Sequence, residues 1–398
     1  MTARLYYTEP YRTTFEAMVQ DCREQGGRIE VILDRTAFYP TSGGQPFDTG
    51  TLGDARVLDV IDPEDGSVTH VLDRKVAAGS TVAGAVDWGR RFDHMQQHTG
   101  QHVLSAAYDR LFAVRTESFH LGASSATIDL AREVTPDEIR AAEDESNRIV
   151  WEDRPVAIRF VTSEEAAALP LRKEAPRAGT LRLIEIDGFD LSACGGTHVA
   201  RTGAIGIIAT SGWEKLRGGT RVEFLCGGRA LARFREYRDV LTATTRHLSV
   251  TTPELAASVE RLQVEAKATN RSIRALQEQL AGHEAQSLLQ RAAPTGDRRV
   301  VVEALAGWEA PGLKALAAAA AMADPLAAVA LFTRSSPALV VIARGAASPI
   351  DAAAVLKALI AQFGGKGGGK PELAQGGGLQ ASPEALVAAA RALLSADR

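Results

Sequence analysis

The sequence predicts an α+β protein in four parts: a β-barrel-like region at 1–88, a mixed α+β region at 89–240, a helical coiled-coil-like spacer at 241–293 and a C-terminal α/β domain at 294–398. Three changes of texture carry that reading. β-branched runs punctuated by Gly, Pro and Asp give way to alternating helix and strand patterns. Those yield to apolar residues on four- and three-residue steps, and short apolar runs between alanine-rich stretches close the chain. At 398 residues there is room for two or three separate cores, and 45% hydrophobic with 24% charged residues is an ordinary soluble composition.

In the first region, RIEVILDRTAFYPTSGGQPFDTGTL and ARVLDVI followed by DPEDG read as strands joined by turns, a small barrel or sheet. The second region mixes a helix through HTGQHVLSAAYDRLF, a strand at SATIDL, a helix from Pro136 to Val150, and strands at VAIRFV and LRLIEI. In the spacer, Leu255, Val259, Leu262, Ala266, Ile273, Leu276 and Leu280 trace a seam that suits a coiled coil or a long helical hairpin. Thr269 and His283 interrupt it, so its packing is imperfect. After the APTGDRR break, VVVEAL, AAVALF and ALVVIA read as buried strands between helices, followed by the glycine-laden FGGKGGGKPELAQGGG. The spacer or the last domain is where a homodimer would form.

Several classes are excluded at this level. Cys22, Cys194 and Cys226 are too few and oddly numbered for a disulfide framework, which favours a reducing compartment and a cytoplasmic location. The N-terminus MTARLYYTEP is no signal peptide, and the longest apolar stretch is broken by Asp324 and Pro325, so no membrane span is expected. A net charge of −4 argues against wholesale coating of nucleic acid while allowing a basic local surface.

HTGQH places His98 and His102 four apart, on one face of a helix. CGGTH places Cys194 and His198 four apart in what two adjacent glycines make a loop. Together they form a thiolate-plus-imidazole set that suits zinc; the alternative is an unrelated histidine pair and a buried thiol. His94 extends the helical row one turn further but rotates off the face, to lie beside the site or exposed. Thr99 stands where a metallopeptidase helix of the HExxH kind carries its glutamate base. Four protein ligands would close a tetrahedral zinc, whereas three would leave a place for water, and both readings stand.

HTGQH with CGGTH, preceded by TAFYPTSGGQPFDTG, resembles the editing domain of alanyl-tRNA synthetase and its freestanding AlaX-type relatives, over roughly residues 5 to 230. GGKGGGKPELAQGGG after a helical spacer is similar to the synthetase's C-terminal DHHA-type domain. The resemblance implies a zinc-containing α+β editing domain that deacylates mischarged tRNA(Ala), chiefly Ser-tRNA(Ala) and also Gly-tRNA(Ala), without a domain that activates alanine. It implies zinc ligation by His98, His102, Cys194 and His198, and a pocket lined by Thr36 and Gln45. Those two, with His98, His102 and Cys194, are the expected catalytic set. An ester is already activated, so a threonine at position 99 is compatible with it and makes peptidase activity a poor fit. Two other classes compete: a non-catalytic, zinc-stabilised tRNA-binding module, and a metal-dependent hydrolase of small esters or amides.

GGKGGGK nearly satisfies the phosphate-loop pattern, but Pro371 replaces the hydroxyl residue that would hold magnesium, which rules out a nucleotide triphosphatase. A nest of backbone N–H groups with Lys366 and Lys370, holding a phosphate of the tRNA body, is the functional reading; a flexible turn is the other. Cys226 lacks a histidine four later and reads as a buried thiol. Arg172, Lys173, Arg177 and Arg182, and Arg229, Arg233, Arg235 and Arg238, read as solvated faces sooner than RNA contacts.

Overall fold

In the computed structural model the strand Thr14–Gln25 alternates over its first six residues, turning Phe15, Ala17 and Val19 inward and leaving Thr14, Glu16 and Met18 exposed. That strand closes a six-stranded barrel with Arg28–Leu33, Thr69–Leu72, Ala55–Ile61, Gly50–Leu52 and Thr81–Val86, in that order around the wall. Every pairing in the wall is antiparallel. Val31, Leu33, Phe38, Leu52, Val57, Val60 and Leu72 fill it. The structure describes residues 1–172, 179–292 and 294–395, which divide into two units, Met1–Ala243 and Thr244–Arg398. Lys173 and Arg177 lie outside the described residues.

Two polar side chains sit inside the barrel. Thr36 and His70 are wholly buried and share a 2.8 Å hydrogen bond between Thr36 Oγ1 and His70 Nε2. His70 Nδ1 lies 3.2 Å from the Val31 carbonyl, and the Phe38 N–H donates to Thr36 Oγ1 at 3.1 Å. The network assigns the proton to Nδ1, so the Thr36 hydroxyl donates to Nε2. Burial pushes His70 from 6.5 down to about 4. Because the folded value is depressed, its contribution to stability is present above pH 6.5 and is lost as pH falls through about 4. At roughly 1.4 kcal/mol per pKa unit the loss is on the order of 3 kcal/mol. Burial likewise holds His94 at about 4, adding to the same window. The denaturation midpoint of the first unit is therefore expected to fall on acidification from pH 6.5, and His70→Gln to flatten that fall; a variant with the parental pH profile would refute the assignment.

The rest of the first unit is built around the helix Trp88–Phe112. A four-stranded sheet (Ile208–Leu216, Gly219–Cys226, Ala126–Leu130, Thr116–Leu121) packs on it, together with the helix Pro136–Trp151. A three-stranded sheet runs Val156–Thr162, Thr180–Ile186, Asp190–Ala193. Pro136–Trp151 starts on a capping box in which Thr135 and Glu138 satisfy each other's backbone N–H groups. The barrel is tied to the Trp88–Phe112 helix by the buried pair Asp48–Arg91, whose Nε lies 3.0 Å from both carboxylate oxygens. Arg91 also donates to the Pro10 and Ala37 carbonyls, and Asp48 accepts from the Tyr39 N–H. The TAFYP and PFD segments are thereby fixed to the helix that carries HTGQH.

In the second unit a six-stranded sheet, Pro294–Thr295, Arg298–Leu305, Ala328–Thr333, Ala338–Arg344, Leu373–Leu379 and Lys366–Gly369, has helices on both faces. Ala310–Ala323 and the last turns of Leu255–Arg291 cover one side. Ala352–Phe363 and Pro383–Ser395 cover the other. The α/β layering matches expectation, but the glycine-rich motif does not form a nest. Lys366–Gly369 is an edge strand in register with Ala374–Gly377, and in an extended strand successive N–H groups point in opposite directions and cannot converge on one phosphate. Lys366 and Lys370 are exposed. Leu255–Arg291 is one continuous helix along which Val259, Leu262, Ile273, Leu276 and Leu280 are exposed, and only Ser258, Ala281, Ala285, Leu288 and Leu289 are buried. Among the described residues no helix is long and apolar enough to cross a membrane.

Candidate metal centre

Every residue of the Trp88–Phe112 helix from His94 to Tyr108 is buried, although HMQQHTGQH is polar. Burial of such a segment requires partners for its polar groups. Gln97 spans the Cys226 backbone, donating to its carbonyl at 3.0 Å and accepting from its N–H at 2.8 Å. Gln96 donates to the Ala204 carbonyl and Gln101 to Ser105 Oγ. The helix is thus held against two layers, and its histidine face is aimed by packing on all sides.

CGGTH follows the strand Asp190–Ala193 as an irregular loop. A Cβ on Gly196 would lie 2.2 Å from His98 Cε1, so only glycine lets the loop approach the first histidine. Cys194 Sγ lies 3.3 Å from Nε2 of both His98 and His198. One ligand atom from each of His98, His102, Cys194 and His198 lies within 4.8 Å of the others. Metal–ligand bonds of about 2.0–2.3 Å in a tetrahedron place ligand atoms about 3.3–3.6 Å apart, so the set fits a metal ion.

The far nitrogen of each ring is also held. His98 Nδ1 meets Gln45 Oε1 at 2.8 Å, His102 Nδ1 meets Asp190 Oδ2 at 2.9 Å, and His198 Nδ1 meets Thr99 Oγ1 at 3.2 Å. With these Nδ1 atoms donating, all three Nε2 lone pairs are free to face one point. Thr99 also accepts from the Val199 N–H at 3.1 Å. The residue at the glutamate position of a metallopeptidase helix therefore steadies a ligand and its loop.

Gln45 arrives from the barrel through a tight turn, in which Ser42 and Gln45 exchange backbone hydrogen bonds of 3.1 and 2.9 Å. Gly44 sits at φ +82°, and a Cβ there would lie 2.9 Å from the Phe119 carbonyl oxygen. Glycine is thus required for the turn to dock on the strand Thr116–Leu121 and deliver the amide. Besides His98, the Gln45 side chain accepts from the Thr197 N–H at 3.1 Å and donates to Thr197 Oγ1 at 2.8 Å, bridging the two halves of the centre.

The electrostatics suit a cation. Burial works against an ionised Cys194, but the charges of His98 and His198 hold its thiol well below the usual range. Burial likewise opposes ionisation of Asp190, yet the His102 hydrogen bond and the Arg172 charge hold its carboxyl low. His102 is disfavoured as a cation by burial and raised to about 9 by Asp190 and Cys194. Burial takes His198 down to about 3. A thiolate and a carboxylate thus surround a cluster of imidazoles.

The structure brings Gln45, His98, His102, Cys194 and His198 together. Thr36 is placed in the barrel interior, hydrogen-bonded to His70 and the Phe38 N–H and not to the four candidate ligands. His94 is buried with its Nδ1 unpaired and stands outside the cluster. Cys226 is buried at the back of the helix. Sequence reasoning missed Asp190, singled out Thr99 without its hydrogen bond to His198, and read Arg172 and Arg182 as surface charges. Arg172 pairs with Asp190, and Arg182 is buried, donating to the carbonyls of Tyr7 and Cys194. The only sequence signal was an acid four residues before Cys194, on a strand whose other residues are apolar or small. Arg229 is likewise committed, to Asp93.

Comparison with known proteins agrees with this geometry. Residues 181–223, across the CGGTH loop, match the threonyl and alanyl tRNA synthetase second additional domain. Residues 6–90 match tRNA synthetases class II (A), and 297–396 the DHHA1 domain. Alanine–tRNA ligases of Methanoculleus marisnigri and Natronomonas pharaonis are 34% and 35% identical over 96% and 99% of this chain, which spans 42% and 44% of their length. The alanyl-tRNA editing protein AlaX-L of Pyrococcus horikoshii is 31% identical over 97% of this chain and 96% of its own. With near end-to-end similarity to that protein, the chain belongs to the alanyl-tRNA editing protein family.

Proposed function

We propose that this chain is a trans-editing hydrolase that deacylates mischarged tRNA(Ala), chiefly Ser-tRNA(Ala) and also Gly-tRNA(Ala), with zinc held by His98, His102, Cys194 and His198. The observation that carries the reading is the meeting of the four ligands with Gln45 of the barrel loop, because a purely structural metal site has no need of that loop. One thiolate with three imidazoles favours zinc over the oxygen-seeking cations. When bound, zinc would supply a positive charge and Lewis acidity beside an ester oxygen, and it would lower the pKa of a coordinated water only where one of the four protein ligands yields its place.

The chain's own residues orient the centre and present the substrate. Gln45, Asp190 and Thr99 fix the ring tautomers, and the turn at Ser42–Gln45 sets the edge against which an aminoacyl group would rest. A synthetase pocket shaped for alanine admits glycine and serine, since one methyl is worth only about 1–3 kcal/mol, so a second hydrolytic site is needed. The protein would act in the cytoplasm, where charged tRNA is used. Deacylation of Ser-tRNA(Ala) by the full chain, before and after chelation, tests the reading. Hydrolysis should stop with chelator and return with added zinc, sparing Ala-tRNA(Ala); full activity in metal-free protein would overturn it.

Thr36 is proposed as the serine-reading residue, with a limit set by its hydrogen bonds. Its proton is committed to His70 and one lone pair to the Phe38 N–H, so it can only accept from a serine hydroxyl. Thr36→Val should slow hydrolysis of Ser-tRNA(Ala) by roughly 10-fold or more, as loss of a contact worth about 1–3 kcal/mol implies. It also leaves two buried groups unpaired in the barrel and should lower stability by about 1–3 kcal/mol. Unchanged serine hydrolysis by the folded variant would place selectivity elsewhere.

A further inference from the structure

The three histidines of the centre are backed by three different groups. His98 leans on the neutral amide of Gln45, His198 on the neutral hydroxyl of Thr99, and His102 on the carboxylate of Asp190. That carboxylate is itself fixed. Arg172 Nε donates to Oδ1 at 2.7 Å and Arg172 Nη2 to Oδ2 at 3.3 Å, while Ser192 Oγ lies 3.1 Å from both oxygens. The Asp190 side chain is 0% exposed and that of Arg172 13%. The Arg172 N–H also donates to the Leu191 carbonyl at 3.0 Å, pinning its segment along the strand that leads to Cys194.

A carboxylate on the far nitrogen of an imidazole fixes the tautomer and makes the near nitrogen a stronger donor, more than a neutral amide or hydroxyl does. We infer that His102 is the anchoring ligand of the centre and that Arg172, acting through Asp190, is the positioning residue that sets how tightly the metal is held. His98 and His198 hold it less strongly. The inference rests on the metal assignment proposed above and extends it by ranking the ligands and giving Arg172 a role. Arg172 borders a solvent-open cavity of about 480 Å³, shared with Phe189, Arg110 and Asp190. Its side chain can therefore be shortened or neutralised without leaving a void in a packed core.

The test is the rate at which zinc-loaded, full-length protein releases its metal to a chromophoric chelator. Asp190→Asn keeps an oxygen for the His102 Nδ1–H and removes the charge; it should release zinc about 10–100-fold faster. Arg172→Met should release it roughly 10-fold faster and Arg172→Lys should recover most of the parental rate, as an outer partner that acts by charge requires. Gln45→Met and Thr99→Val should each accelerate release less than Asp190→Asn. In cobalt-substituted protein Asp190→Asn should shift the visible absorption bands, which a change in folding stability alone would not do. Parental release by Arg172→Met, or faster release by Gln45→Met than by Asp190→Asn, would overturn the ranking. Deacylation of Ser-tRNA(Ala) on the same preparations separates the two readings: ranked zinc release without deacylation keeps this inference and defeats the functional one, and a chain that binds no zinc defeats both.

Discussion

Cys194→Ala should abolish deacylation of Ser-tRNA(Ala) and leave less than one zinc ion per chain, and His102→Ala should do the same. Loss of an outer partner costs a metal site about 10–100-fold in affinity or activity, so loss of a ligand should exceed 100-fold. Cys194 is the only thiolate of the set, lying 3.3 Å from two of the three imidazoles, and its carbonyl and N–H are both bound to Arg182. Removing the sulfur therefore opens the shell while the loop stays in place, and the remaining imidazoles cannot aim the ion. Cys226→Ala is the control, since that thiol is buried behind the helix and should leave zinc at one per chain. Metal analysis beside single-turnover deacylation reads both effects. A zinc-free Cys194→Ala protein with parental activity would remove the metal from the reaction.

Truncation after Leu248 should leave a folded, zinc-loaded hydrolase with a near-parental kcat and a KM for tRNA raised at least about 10-fold, the size expected when one of two linked contact surfaces is lost. Met1–Ala243 is a unit with its own cores, and the four candidate ligands lie within it. A flexible acceptor end offers few contacts peculiar to one tRNA, and RNA helices are recognised by shape, backbone and 2′-hydroxyls. The second unit supplies a 37-residue helix, about 55 Å long at 1.5 Å per residue, and an exposed edge strand with Lys366, next to Lys370. We propose that these reach the body of the tRNA. Lys366→Ala with Lys370→Ala should raise KM in part and flatten its salt dependence, because fewer phosphate contacts release fewer counterions. If the truncated protein edits full-length tRNA as well as the parent does, the second unit serves assembly instead, through the exposed seam Val259, Leu262, Ile273, Leu276 and Leu280.

The element types were legible because they rest on local periodicity. The strand runs RIEVIL and ARVLDVI, the helix from Pro136 and the apolar strand runs after residue 298 all rest on patterns within a few residues, and the structure shows each of them. The glycine motif at 364–370 was harder, because glycine is compatible with a nest, a turn or a strand. What makes it a strand is the partner Leu373–Leu379, contributed a few residues later by the sheet.

By itself the sequence singled out the candidate ligands: two histidines at helical spacing, and a cysteine and a histidine flanking two glycines. These four follow from residue chemistry and short-range geometry, which a linear chain displays directly, whereas Gln45 entered only through the resemblance of TAFYPTSGGQPFDTG to the editing domain. Only the tertiary structure decided what stands behind them. Asp190 is 88 residues from His102, Gln45 is 53 from His98, and Thr99 is 99 from His198. It also decided that Thr36 turns its proton to His70, and that Arg172 and Arg182 are structural charges beside the centre, not solvated ones. The physical reason is that an unpaired polar group is costly in a buried site, so each ligand must find a partner, and that partner is chosen by packing across long stretches of chain.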